Sequence, residues 1–247
     1  GGSINFMAVG LSYTVNAKTL FTHTNEHRSR LNFNFTSSLF SANIYYSNVE
    51  GGSRITGFCG YKPIEEKHYP FNGASTKSLY VDAYYFFNHR QYSQAAAYCF
   101  SKYQLRNAGS WIAGLSFTRD DTTIDFSSLP AEMLQLLPVK ETMFRFHYRD
   151  YNLMGGYAYN WALRPRKWLL NLTAMPSIGY RRTYDDATDG NRNLFSTNIR
   201  GMFSVVYNHR ALFMSIRGEV FTHVYFAPTY AFANTNGSLT AVLGCRF

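Results

Sequence analysis

The sequence predicts an all-β chain, a transmembrane up-and-down antiparallel β-barrel of about ten strands. Three observations carry that expectation. The last nine residues, Leu239 to Phe247, read L-T-A-V-L-G-C-R-F. Leu239, Ala241, Leu243, Cys245 and Phe247 fall on one face of a strand; Thr240, Val242, Gly244 and Arg246 fall on the other. An alternating strand that ends on an aromatic has the form of a closing strand in a bacterial outer-membrane barrel, which pairs with the first so that no edge is left in lipid. Aromatics make up 18% of the chain, with 20 Tyr, 21 Phe and 3 Trp, as expected where aromatic girdles flank a lipid-facing band. Mean hydropathy is −0.25, and no apolar run approaches the roughly 18–20 residues of a spanning helix. Barrel strands hide their hydrophobicity in every second position.

The strands follow from the same alternation. Met7, Val9, Leu11 and Tyr13 mark the first; Leu31, Phe33, Phe35 and Leu39 the second, with Arg30, Asn32, Asn34 and Thr36 on the opposite face. Ala42, Ile44 and Tyr46 belong to a third, and Leu79, Val81, Ala83, Tyr85 and Phe87 to a fourth. Trp111, Ala113, Leu115 and Phe117 end a fifth, read as one long, bulged strand from Tyr92 to Arg119. Tyr151, Leu153, Tyr157, Tyr159 and Trp161 give the sixth; Trp168, Leu170, Leu172, Ala174 and Ile178 the seventh. Phe195, Ile199, Phe203, Val205 and Tyr207 give the eighth, and Leu212, Met214, Ile216, Val220 and Val224 the ninth. The C-terminal segment is the tenth.

Connections alternate between short and long. Short turns are expected near Ser37-Ser38, Asn88 to Gln91, Ala162 to Lys167 and Asn208-His209. Long polar loops are expected at Asn16 to Ser29, Gly51 to Ser75, Asp120 to Thr142, Arg182 to Arg192 and Phe226 to Asn236. With short periplasmic turns and long external loops, an even strand count places both chain ends on the periplasmic side. Within the third long loop, Leu129 to Leu137 has the spacing of a short helix between Pro130 and Pro138. Residues 1–247 read as a single barrel domain, without sequence repeat or linker.

The net charge is +9, and basic residues gather at the expected turns: His89-Arg90, Arg164 to Lys167, His209-Arg210. They form no stripe interleaved with aromatics, which argues against nucleic acid. Outer-membrane lipid head groups and lipopolysaccharide phosphates are the partners such rims suit. Cys59, Cys99 and Cys245 are too few and too scattered for a disulfide framework or a zinc pattern, and the latter two read as small apolar fillers within strands. No signal peptide is visible before the first strand, so export implies a leader upstream of Gly1. His23, Glu26 and His27 share a loop without fixed geometry, Glu65-Glu66-Lys67-His68 reads as a solvated run, and Asp185, Asp186, Asp189 and Gly190 lack the ligand spacing of a calcium loop. No cofactor and no metal are expected.

The stretch Ala83 to Phe117, containing A-Y-Y-F-F-N-H-R-Q-Y-S-Q-A-A-A-Y and N-A-G-S-W-I-A-G-L-S-F, resembles a Bacteroidota outer-membrane barrel family that carries only a domain-of-unknown-function label. So do Gly156 to Trp161 (G-Y-A-Y-N-W), Ala174 to Tyr180 (A-M-P-S-I-G-Y) and the closing strand. The resemblance runs over essentially the whole chain. It implies an outer-membrane location and further strands upstream, making a twelve-stranded barrel. A proline commonly follows the Tyr-Ser pair in that family, where Gln94 stands here. The resemblance implies no activity.

The candidate site is a set of charges on the polar face: Arg30, Asp82, Lys102, Arg106, Asp150, Arg200, Arg217, Glu219 and His223. With Asn208-His209 as a two-residue turn, Arg200 stands opposite Arg217 and diagonal to Glu219. Charges paired across a narrow interior hold a barrel together, which fits a structural or accessory subunit of an envelope assembly with other outer-membrane proteins as partners. The alternative is a small passive channel with a basic lumen. A second alternative is a lipid-modifying enzyme using His223 and Ser238, although no G-x-S-x-G is present. A soluble barrel binding apolar ligands requires the apolar faces to point inward instead.

Overall fold

Residues that alternate in the sequence form strands that alternate in burial. The computed structural model describes residues 2–6, 9–15, 27–55, 69–136, 142–164, 166–183, 193–226 and 231–245. Eleven strands make one antiparallel sheet: β1 (Gly2–Phe6), β2 (Val9–Val15), β3 (His27–Thr36), β4 (Phe40–Glu50), β7 (Ala74–Phe86), β8 (Ala108–Asp125), β9 (Met143–Arg164), β10 (Trp168–Thr183), β11 (Asn193–His209), β12 (Leu212–Phe226) and β13 (Ala231–Cys245). Their order in the sheet is their order in the chain, as hairpin connections require. The sheet is curled into a half-barrel. β5 (Ser53–Ile55) and β6 (Tyr69–Phe71) form a separate two-stranded ribbon.

The ten strands read from the sequence are all in this sheet, and β1 adds an eleventh, pairing Gly2 with Tyr13 and Phe6 with Val9. Gly2 therefore lies at the end of the sheet that carries the long connections, rather than at the short-turn end. Several strands outrun their expected ends, since β8 continues to Asp125 and β10 to Thr183. The ribbon β5–β6 packs on the β8–β9 connection. Phe71, Leu129 and Met133 are buried together there, and Phe71 stacks on Phe126 with ring centroids 5.5 Å apart. The expected helix between the two prolines is one turn, α2 (Ala131–Leu134); α1 is described below.

The fifth strand requires correction. Tyr92 to Asn107 is no strand: a turn follows β7, then α1 (Gln94–Tyr98), then an irregular stretch that leads into β8 at Ala108. Cys99 is accordingly the helix C-cap rather than a strand residue. A second correction is the β11–β12 hairpin. It turns at Arg210-Ala211, and His209 pairs with Leu212. Arg210 takes φ 53°, the left-handed conformation that primed hairpin turns use.

Burial departs from that of an ordinary water-soluble protein in two ways, although an apolar cluster that includes Phe86, Ile112, Met154, Met175 and Met202 is also buried. Large apolar side chains line the convex face: Leu115 is 66% exposed, Trp111 67%, Leu243 73% and Leu239 74%. Polar side chains are buried on the concave face, including Asn160, Asp150, Arg181, Asn198 and His223. Ring pairs recur around the short-turn rim of the convex face: Phe35–Phe40, Tyr85–Phe87, Trp111–Tyr157, Tyr159–Trp161 and Trp168–Tyr207. Gly109 makes room for one pair, because a Cβ there would stand 2.1 Å from the Tyr157 hydroxyl.

Candidate functional site

The concave face is built in three layers. The first, at the short-turn end, is closed by α1. Ser93 caps the helix, its hydroxyl accepting from the Ala96 amide at 3.3 Å. Three alanines follow, each buried, and their small side chains let the helix backbone lie against the strands. Ser204 donates to the Ala97 carbonyl at 2.6 Å, and Arg217 Nη1 to the Tyr98 carbonyl at 3.1 Å. Phe100 ends the helix at φ 59°. Its ring packs against Phe213 at 4.8 Å, in a cluster with Ala96, Ala97, Leu169 and Val206. A left-handed phenylalanine is unfavourable, and this packing holds it.

Amides fasten the rest of the plug. Asn171 Nδ2 donates to Asn160 Oδ1 at 2.7 Å and to the Tyr92 hydroxyl at 3.0 Å, while its Oδ1 accepts from Tyr98 at 2.7 Å. Asn160 Nδ2 donates to the Ser93 carbonyl at 3.0 Å. Gln104 Nε2 donates to the Gln91 and Arg106 carbonyls at 2.8 Å, and Gln104 Oε1 accepts from the Ser93 amide at 3.0 Å. Tyr92 also donates to Gln94. Burial pushes the Tyr92 and Tyr98 hydroxyls above the ordinary phenol range, so both stay protonated donors. Burial likewise raises the Cys99 thiol.

The second layer crosses the interior. Arg200 on β11 reaches Asp82 on β7, four strands away in the sheet, and its Nε donates to Glu219 Oε1 at 2.7 Å. Asn43 Nδ2 donates to Asp82 Oδ2 at 2.7 Å. A single guanidinium thus ties β4, β7, β11 and β12 across the concave face. The third layer lies toward the long loops. Arg181 holds Asp150 through both nitrogen–oxygen pairs, Nε to Oδ1 at 2.6 Å, and lies 4.3 Å above the Tyr148 ring. Ser196 donates to Asp150 Oδ2 at 3.1 Å. His223 Nδ1 is 3.0 Å from Asn198 Oδ1, which marks it as the protonated nitrogen, and its ring stacks on Tyr80 at 5.3 Å. Asn236 Nδ2 donates to the Tyr80 hydroxyl at 3.3 Å, joining β13 to β7 across the same space.

Of the nine charges expected on the polar face, seven are there: Arg30, Asp82, Asp150, Arg200, Arg217, Glu219 and His223. Lys102 and Arg106 are exposed residues of the stretch between α1 and β8, because that stretch is not a strand. Arg200 lies diagonal to Glu219 as expected, but opposite Phe221; Arg217 stands opposite Ser204. The turn falls two residues later than Asn208-His209, and a two-residue shift moves partners without changing faces. Ser238 pairs with Glu219, whereas His223 pairs with Asn234. The two residues of the hydrolase alternative are thus four ladder steps apart, about 13 Å.

Two buried charges lie outside the expected set: Asp120, at the first residue of an expected loop, and Arg181, just beyond the alternating apolar run that ends at Ile178. Even spacing from Asn171, Thr173 and Ser177 places Arg181 inward, and from Ser116 and Thr118 places Asp120 inward. α1 also had a signal: a serine N-cap followed by Gln-Ala-Ala-Ala. Among the described residues no His, Cys, Asp and Glu group could hold a metal ion. His23, Glu26, Cys59, the run Glu65 to His68 and Asp185 to Gly190 lie outside the described residues. No helix is long and apolar enough to cross a membrane.

No curated protein and no solved structure matches the chain. A family does, over residues 1–247, and with that match the chain belongs to the domain-of-unknown-function family DUF4421.

Proposed function

We propose that this chain is an integral outer-membrane β-barrel, a structural or accessory subunit of an envelope assembly whose interior is plugged at the periplasmic end. One observation carries the reading: large apolar residues cover the convex face, while the concave one buries charges and amides beside a smaller apolar cluster around Phe86, Ile112, Met154, Met175 and Met202. Water would penalise that arrangement, and hydrocarbon favours it. The aromatic pairs support it further. From Trp161 at the short-turn rim to Tyr151 at the other, a rise of about 3.4 Å per residue and a tilt of about 40° span roughly 26 Å, the height of a lipid-facing band. Arg90, Arg164, Arg166, Lys167 and Arg210 are exposed beyond the aromatic rim, where anionic head groups would meet them.

α1 and its hydrogen bonds favour a structural role over a passive channel, since they occupy the path a solute would take. The separation of His223 from Ser238 weighs against the lipid-modifying alternative. Membrane fractionation and semi-native electrophoresis test the location. The protein should be extracted only by detergent, and its gel migration should change on heating. Release by carbonate or salt, with unchanged migration, would refute the assignment. Purification in mild detergent should bring down other outer-membrane proteins, and planar bilayers should show no steady conductance.

A further inference from the structure

We propose that the space above the plug is a binding site for a small anionic solute, one bearing carboxylate or phosphate oxygens, gripped between Arg30 and Arg217. Residues from β3, β4, β7, β12 and β13 enclose a cavity of about 170 Å³ on the concave face, with Tyr98 and Cys99 among its lining. Its charges do not balance. Three arginines (Arg30, Arg200, Arg217) face two carboxylates (Asp82, Glu219), a surplus of one positive charge. The two carboxylates are also unequally shared. Both pair with Arg200, whose single positive charge offsets one of the two; of the two charges on Arg30 and Arg217, one is therefore in excess. Among the described residues no carboxylate pairs with Arg30 or Arg217, and the bond that Arg217 makes is to a backbone carbonyl.

A guanidinium has five N–H donors. Arg30 on β3 and Arg217 on β12 both line the cavity, and among the described residues their one hydrogen bond is that of Arg217 Nη1 to the Tyr98 carbonyl. Asn32 and Asn34 follow Arg30 on the same inward-facing row at steps of about 7 Å, and both line the cavity with primary amides. The guanidinium and amide N–H groups therefore give this wall a set of donors, with one positive charge in excess. Planar oxyanions meet such a set bidentately, and a low-dielectric wall strengthens the attraction. The volume suits an anion of a few heavy atoms up to the size of citrate and is small for an oligosaccharide.

This inference rests on the concave face being an enclosed interior, so its test separates the two readings. Detergent-purified protein, first shown to migrate in a heat-dependent way, is titrated calorimetrically with sodium phosphate and with sodium citrate at constant chloride. Saturable binding of one of them at a single site is expected, and which one binds distinguishes the phosphate from the carboxylate class. Arg30→Ala and Arg217→Ala should each weaken it about tenfold or more; Arg30→Lys and Arg217→Lys should retain part of it, because charge survives while the fork is lost. Arg210→Ala, at an exposed turn, should leave it unchanged. Absence of binding by either anion up to about 10 mM, in protein that still shows the heat shift, overturns the site and leaves the barrel standing. Equal affinity in wild type and all four cavity variants does the same. Anion binding by protein that proves soluble without detergent overturns the barrel and keeps the site.

Discussion

An arginine carried along one strand measures which solvent touches the convex face. The outward residues of β10 include Trp168, Leu172, Ala174, Ile178 and Tyr180, all exposed. From Trp168 to Tyr180 the strand climbs about 31 Å along the axis of the proposed barrel, at about 3.4 Å per residue and a tilt of about 40°. Ala174 is the midpoint, Leu172 about 5 Å from it and Ile178 about 10 Å. A lipid-facing arginine costs about 2–4 kcal/mol at the midplane and about 0–1 near the interface. Ala174→Arg should therefore destabilise by about 2–4 kcal/mol, Leu172→Arg by slightly less, Ile178→Arg by about 1 and Tyr180→Arg by under 1. In water all would fall within about 0.5 kcal/mol of zero. Denaturant unfolding in lipid vesicles, followed by tryptophan fluorescence, reads the profile. A flat profile across the positions refutes the claim that hydrocarbon covers this face; a maximum at Tyr180 refutes the depth assignment.

Other predictions follow from the interior. Asp150 and Arg181 are almost completely buried, so Asp150→Ala or Arg181→Ala alone should cost about 3–5 kcal/mol, whereas Asp150→Leu with Arg181→Met should cost far less than the sum; additive losses in the same unfolding assay would dismiss the coupling. Replacing Ser93 to Arg106 by a short glycine–serine link should open the short-turn end, giving steady conductance in planar bilayers where wild type has none; silence from the shortened, folded protein would show that α1 is not the barrier. In a Cys59→Ser, Cys245→Ser background, the raised Cys99 thiol leaves less thiolate at a given pH, so modification by a maleimide should lag behind free cysteine at pH 7.5 and keep rising as pH passes the ordinary thiol range. A rate equal to that of free cysteine would contradict the burial.

Legibility in the sequence tracked how strictly a segment alternates. β10 and β11 read correctly because period-two burial persists over their length. Parity also survived an error in the β11–β12 turn, which is why Arg200 and Glu219 were placed on the right face with one partner misassigned. Tyr92 to Asn107 failed because alanine has no face: Ala95, Ala96 and Ala97 satisfy strand and helix patterns alike, and only the serine cap and helix propensity separate them. Lys102 and Arg106 were then carried inward by a strand that does not exist. Strand ends failed for a different reason. Polar residues such as Asp120 and Arg181 resemble loop, and only contacts from distant strands make them interior.

Those contacts also decide which charges are structural. Hydrogen bonds and ion pairs supply much of the cohesion inside, beside the apolar clusters around Met175 and Val206, so an arginine there is no sign of function in itself. Arg181 is matched by Asp150, and Arg200 by Asp82 and Glu219. Removing either guanidinium would strand a buried carboxylate, which is reason enough for its presence. Arg30 and Arg217 have no such creditor. One of their two positive charges offsets the carboxylate that Arg200 leaves uncovered, and the other is in excess. That one excess charge faces a cavity with room for a small anion, the ligand proposed above.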